Sequence, residues 1–277
     1  MSDYRLRVFK RAALCRNFEQ HVFDLIKQKV FKFPMYLSAG QEYISSSISE
    51  VMKEKGIEPN IFIQHRGHST YLSFDAPIEE LINELLGRKT GCSNGMGGSA
   101  SIQSKKKSIF GHDGLMGSQV PIAVGHCYST GVPTIAYMGD ASAEEDYVLG
   151  ALGWASTKNL PMLFVVEDNN LSILTEKKVR RNWEMADVAQ AFKMKAMDIQ
   201  DDPEEIRSAL VGVFDGPMLL NINTHRKFWH SGAGIDDENT FDRYKVEMNS
   251  LGQEAVKIDE EVRKEVHRIW EKMLEIQ

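Results

Sequence analysis

From Thr134 to Ile173 the chain reads TIAYMGDASAEEDYVLGALGWASTKNLPMLFVVEDNNLSI, and no other stretch restricts the fold as much. An apolar run ends at Gly139-Asp140, a helical pattern follows, and a second apolar run ends at Glu167-Asp168-Asn169-Asn170. Strand, helix and strand in that order form a right-handed unit whose parallel strands have neighbouring carboxyl ends. Asp140 and Asn169 are 29 positions apart, the length of one helix and one strand. The pattern therefore brings both side chains to one crevice at the carboxyl edge of the sheet, where open parallel sheets bind ligands. A carboxylate, an amide oxygen and a backbone carbonyl are hard donors that suit Mg²⁺, an ion normally shared between a few protein oxygens and phosphates. The helix after Asp140 would aim its free N–H groups at the same place, an anion site.

The rest of the chain extends this unit. Buried-strand patterns occupy residues 60–64, 133–138, 161–166 and 217–222, each bounded by Gly, Pro, Asp or Asn. Helical patterns fall at 78–86, 143–158, 185–192 and 203–213, with amphipathic stretches at 5–30 and 44–52 and a charged terminal helix at 259–276. Strands alternating with helices predict an α/β fold, a parallel sheet flanked by helices on both faces, as a single domain over 1–277. Residues 91–114 are rich in Gly and Ser and too long for a turn, which marks a functional loop.

Composition narrows the class. The net charge of −6 is spread along the chain, which speaks against a nucleic-acid binder. No apolar run is long enough to span a membrane, and the start carries charges throughout. Cys15, Cys92 and Cys127 are an odd number without CxxC spacing, so a reducing, cytoplasmic setting is expected. No GxGxxG follows a strand, so a nicotinamide-binding reading has little support.

The Gly-Asp…Asn-Asn spacing resembles the thiamine diphosphate signature. The remaining motifs are similar to the alpha subunit of the first component of 2-oxo acid dehydrogenases (pyruvate, branched-chain and acetoin types). They are GQE at 40–42, FIQHR at 62–66, GRKTGCSNGMGGS at 87–99, GLMGSQVPIAVG at 114–125 and THRKFWHS at 224–231. The resemblance implies thiamine diphosphate and Mg²⁺ as cofactors, with Asp140, Asn169 and the Leu171 carbonyl as metal ligands. It puts Gly139 and the backbone of Ala141 and Ser142 at the diphosphate, together with His65, Arg66 and Arg226. Gly114 and Met116 would meet the aminopyrimidine. His230 would act as acid, base or diphosphate contact in a loop, and Tyr36 stands where the pyruvate type has a substrate-side histidine. Ser231 falls where mitochondrial members are phosphorylated.

The chain departs from the pattern in Ala141 for the last Gly of Gly-Asp-Gly, His65 for Tyr, Tyr36 for His, and Phe228-Trp229 before His230. It also leaves no room for a pyrimidine-binding domain. The resemblance therefore implies a beta-type partner supplying that domain and its activating glutamate, in an α₂β₂ assembly acting on a small keto substrate. The leading expectation is 2-oxo acid decarboxylation with acyl transfer. A split transketolase-like or acyloin-forming enzyme is the alternative, and a non-catalytic scaffold on the same fold is a third reading.

Overall fold

The computed structural model describes residues 3–232, 234–236 and 240–276. Its strands are β1 (Asn60–Phe62), β2 (Ile109–Phe110), β3 (Thr134–Gly139), β4 (Met162–Asp168), β5 (Leu171–Ser172), β6 (Thr175–Glu176), β7 (Lys195–Gln200) and β8 (Met218–Asn223). The helices are α1 (Asp3–Lys27), α2 (Glu42–Lys55), α3 (His68–Ser73), α4 (Ile78–Leu85), α5 (Gln119–Thr130), α6 (Asp146–Thr157), α7 (Lys177–Arg180), α8 (Met185–Ala191), α9 (Pro203–Ala209), α10 (Arg243–Leu251) and α11 (Gln253–Glu275). Six strands form one parallel sheet in the order β2-β1-β3-β4-β8-β7, and β5 pairs with β6 as a separate antiparallel hairpin.

Alternation along the central strands sorts side chains to two apolar layers. Ile135, Tyr137, Leu163, Val165, Leu220 and Ile222 face the layer that α1, α2 and α11 cover. Ala136, Met138, Phe164, Val166 and Leu219 face the other, with residues of α5, α6 and α8. Both faces of the sheet are therefore buried, as a parallel sheet requires. Among the described residues no helix is long and apolar enough to cross a membrane.

Several boundaries differ from expectation, each for a local reason. The first helix stops at Lys27 because Lys29 takes a left-handed conformation (φ 60°). The terminal helix starts at Gln253, earlier than residue 259, directly after Gly252 at φ 66°. The helix expected over 143–158 is broken at Glu145, which is extended; Ser142–Glu144 form a separate 3-10 turn and α6 begins at Asp146. At α9 the start is sharp, since Asp202 accepts from the Glu204 and Glu205 N–H groups and Pro203 holds the first helical position. β2, β5, β6, β7, α3, α5, α7 and α10 lie outside the expected elements. β7 runs along the sheet edge with Lys195, Asp198 and Gln200 exposed, so its sequence KAMDIQ lacks the continuous apolar character of the inner strands.

Candidate active site

The strand order reverses between β1 and β3: the chain passes from β1 outward to β2, then returns to β1's other side. This is the switch point at which open parallel sheets form a crevice. β3 and β4 pair in the register Gly139↔Glu167, so Asp140 and Asn169 leave adjacent strands within a residue of each other. A cavity of about 340 Å³ opens there. Of the expected residues, His65, Arg66, Met116, Gly139, Asp140, Ala141, Ser142, Asn169, Leu171 and His230 line it.

Asp140 is buried, and burial, with Asp168 beside it, lifts its carboxyl to about 6 against the pull of Arg180 and Arg181. Arg180 Nη2 donates to Asp140 Oδ2, and Arg181 Nη1 donates to the Asp140 carbonyl at 3.0 Å. Asn169 Nδ2 donates to Gln41 Oε1 at 2.9 Å, which fixes the amide's orientation, while its Oδ1 accepts from Leu171 N at 3.0 Å. Gly40 explains why Gln41 can reach. Its φ is +100°, and a Cβ there would stand 2.1 Å from the His225 carbonyl oxygen, so only glycine lets the two segments cross. Ala141 sits at φ −74°, so alanine costs nothing where the resembled signature carries glycine.

Ser142 Oγ accepts from Gly139 N at 3.0 Å and donates to Gly139 O at 2.9 Å, closing the turn that presents residues 140–142 to the cavity.

The opposite end is cationic. Arg66 is buried, and burial together with Arg226 lowers its guanidinium to about 10. Nη1 donates to the Leu37 carbonyl at 2.8 Å, and Nη2 lies 3.3 Å from both the His230 carbonyl and His230 Nδ1. Among the described residues no carboxylate comes within ion-pair distance of Arg66. Since a guanidinium only donates, His230 Nδ1 accepts and its ring proton sits on Nε2. Burial, then Arg66 and Arg226, hold His230 down at about 4, and burial with Arg66 takes His65 to about 2. Both imidazoles are therefore neutral at pH 7.

Three expected residues are placed differently. Arg226 is buried but bound to Asp236 through Nε and Nη2, donates to the Ile173 carbonyl at 3.0 Å, and does not line the cavity. Gly114 lies outside the lining, next to exposed Leu115. Tyr36 also lies outside it, packed edge-on against His65 and His230 with ring centroids 5.0 and 5.3 Å apart. Phe228 is a core residue stacked on Phe23 at 4.2 Å, so its aromatic character reflects packing and says nothing about substrate.

Other residues join the site that are not singled out individually in the sequence. Gln64 lines the cavity and donates to Glu167, whose buried carboxyl burial pushes up to about 7. Glu145, Ser172 and Ile173 complete the lining. Ile173 is a β-branched residue at φ 54°, a strained conformation costing about 1–3 kcal/mol, and the Arg226 bond to its carbonyl helps hold it.

A fixed carboxylate, an oriented amide oxygen and a tight turn at one end, and an uncompensated guanidinium at the other, suit a divalent cation paired with a polyanion. The sequence matches the dehydrogenase E1 component family over residues 10–260. The mitochondrial pyruvate dehydrogenase E1 component subunit alpha-1 of Arabidopsis thaliana is 27% identical over 268 residues, covering 93% of this chain and 67% of that one. The pyruvate dehydrogenase E1 component subunit alpha of Zymomonas mobilis is 26% identical over 290 residues, covering 94% and 81%. Transketolase from Campylobacter jejuni superposes with a TM-score of 0.61 at 16% identity, a likeness of fold alone. The match covers 100% of this chain and 49% of that one, so the chain spans about half the transketolase's length.

Proposed function

The chain belongs to the dehydrogenase E1 component family, and from that premise we propose that it is an alpha-type subunit, one domain in extent, that binds thiamine diphosphate through Mg²⁺. Asp140, Asn169 and the Leu171 carbonyl would hold the metal. Residues 139–142, His65 and Arg66 would hold the diphosphate, and Met116 would support the organic part. One observation carries this reading: a buried guanidinium without a carboxylate faces the same cavity as a buried carboxylate. A scaffold with no ligand would have little reason to keep Arg66 in that state, because an unpaired buried charge is costly.

When bound, thiamine diphosphate supplies cleavage of the bond beside a keto group and stabilises the carbanion left behind. The chain's own part is binding, orientation and proton handling. His230, neutral and carrying its proton on Nε2, lines the cavity and can donate a hydrogen bond through that N–H. Tyr36 would fix the two imidazoles edge-on from the substrate side.

A beta-type partner is part of the proposal, in an α₂β₂ assembly. Leu115, Ile122, Tyr128 and Trp154 are exposed beside or on α5 and α6, and a Cβ at Gly125 or Gly150 would meet nothing within 4 Å. That apolar, small-residue face supports close packing of another chain. The finer activity proposed is decarboxylation of a small 2-oxo acid with acyl transfer. The EDNNLSI segment at 167–173 and the altered loop before His230 favour, as a second reading, transfer of a ketol or acetyl unit to a sugar or aldehyde.

The test is thiamine diphosphate binding by calorimetry, with Mg²⁺ and with chelator, on the chain co-expressed with its partner. Metal-dependent binding is expected; absence of binding in both would refute the reading. Lipoamide reduction against transfer to an aldehyde without oxidant then separates the two activities.

A further inference from the structure

Residues 177–181 read KKVRR, four cations in five positions beside the cavity. Three have partners outside the metal-binding carboxylate. Lys177 Nζ bonds Asp168 at 2.7 Å and Glu184 at 3.0 Å, Lys178 pairs with Glu176, and Arg181 reaches Glu144 at 3.1 Å and stacks 4.8 Å from the Trp183 ring. Arg180 is different. Its main partner is Oδ2 of Asp140, with Glu144 Oε1 at 3.3 Å and the Thr175 carbonyl at 3.4 Å as further acceptors.

A divalent cation on Asp140 and a guanidinium on the same carboxylate would stand only a few ångströms apart and repel. One must yield, and Glu144 gives Arg180 a place to retreat to without leaving the site. A diphosphate arriving with the cation would add oxygens that suit the planar fork better than a single carboxylate does.

We propose that Arg180 holds the cation's place on Asp140 in the unloaded chain and becomes a ligand of the diphosphate when cation and diphosphate bind together. The inference rests on the cation–diphosphate reading of the cavity. It makes loading cooperative: cation alone must evict Arg180, whereas cation with diphosphate re-uses it. By linkage, each ligand raises the other's affinity by the same factor.

The experiment is calorimetric titration of the full chain with Mg²⁺ alone and with Mg²⁺ plus inorganic pyrophosphate, and of the co-expressed complex with Mg²⁺ plus thiamine diphosphate. Wild type, Arg180→Ala and Arg180→Lys are compared, with Trp183 fluorescence recorded alongside. Arg180→Ala should bind Mg²⁺ alone about tenfold more tightly, and the Mg²⁺–pyrophosphate pair about 10–100-fold more weakly, the scale of one charged hydrogen-bonding contact. Arg180→Lys keeps the charge without the fork and should fall between; it also serves if the alanine variant fails to fold. Loading should change Trp183 emission in wild type and less in Arg180→Ala, because Arg181 on that ring belongs to the same turn. Unaltered Mg²⁺ affinity in Arg180→Ala overturns the place-holding half, and unaltered pyrophosphate affinity overturns the ligand half. If wild type binds neither pyrophosphate nor thiamine diphosphate with Mg²⁺, it is the cation–diphosphate reading that fails.

Discussion

At its Asp140 end the cavity carries a buried carboxylate whose counter-charge, Arg180, comes from a surface turn. At its Arg66 end it carries a buried guanidinium with no carboxylate within ion-pair distance among the described residues, only the more distant Glu167, Glu19 and Asp236. The first end is neutralised when empty; the second is not. The electrostatic cost of the empty site is therefore concentrated where an anion would go, and anion binding should return more stability there than cation binding does at the other end.

The largest expected effect breaks the first end. Asp140→Ala removes a charged, desolvated ligand, so Mg²⁺-dependent diphosphate binding should fall by about 10²–10³-fold. Calorimetry with and without chelator checks it, and wild-type affinity would remove Asp140 from the metal site. The next effect sharpens the contrast. Arg66→Met deletes a buried charge that lacks a carboxylate, so thermal stability without ligand should rise, by roughly 1–2 kcal/mol, while diphosphate affinity drops about 10–100-fold. A variant that melts lower and binds unchanged would mean Arg66 is a structural hydrogen-bond donor only.

The smallest effect concerns pH. Burial raises the Glu167 carboxyl to about 7 in the folded chain, above its ordinary 4.5, so the folded state binds this proton more tightly than the unfolded state. The stability it contributes is fully present below about 4.5 and is lost as pH rises through 7. His65 and His230, held low, act oppositely: their contribution is present above about 6.5 and is lost as pH falls toward their folded values. The clean measurement is therefore the difference in melting between Glu167→Gln and wild type at pH 5 and pH 8. The variant should gain relative to wild type at pH 8; an equal difference at both pH values would show that Glu167 does not titrate in this range.

The same contrast explains what could be read from the sequence. Asp140 and Asn169 sit at the ends of inner strands, where apolar runs and a helix-length spacing are local signals. The parallel sheet and the inner strands follow from such signals, whereas His65, Arg66, Met116 and His230 are expected at the site only through the family resemblance. Arg180 on Asp140 and Asp236 on Arg226 are side-chain pairings across 40 and 10 positions, and no periodicity says which of 33 Lys and Arg residues meets which acid. Arg226 is expected at the diphosphate from the family resemblance, but Asp236 claims it. The two-residue β2 was hidden in a Gly- and Ser-rich loop, and α5 was masked by Pro121 and Gly125 within it.

The pairing of Gly139 with Glu167 has a consequence for how such chains can diverge. What holds Asp140 against Asn169 is the hydrogen-bonded ladder between two strands, and the count of 29 residues merely satisfies it. An extra residue in the surface connection around Lys158–Asn159 can be absorbed outside the ladder. A single deletion inside Met162–Asp168 cannot, because it reverses which side chains face each apolar layer and carries Asn169 out of reach. Lineages should therefore vary freely in the spacing of the two motif halves wherever the length change falls in a loop, and hardly at all in the length of β4.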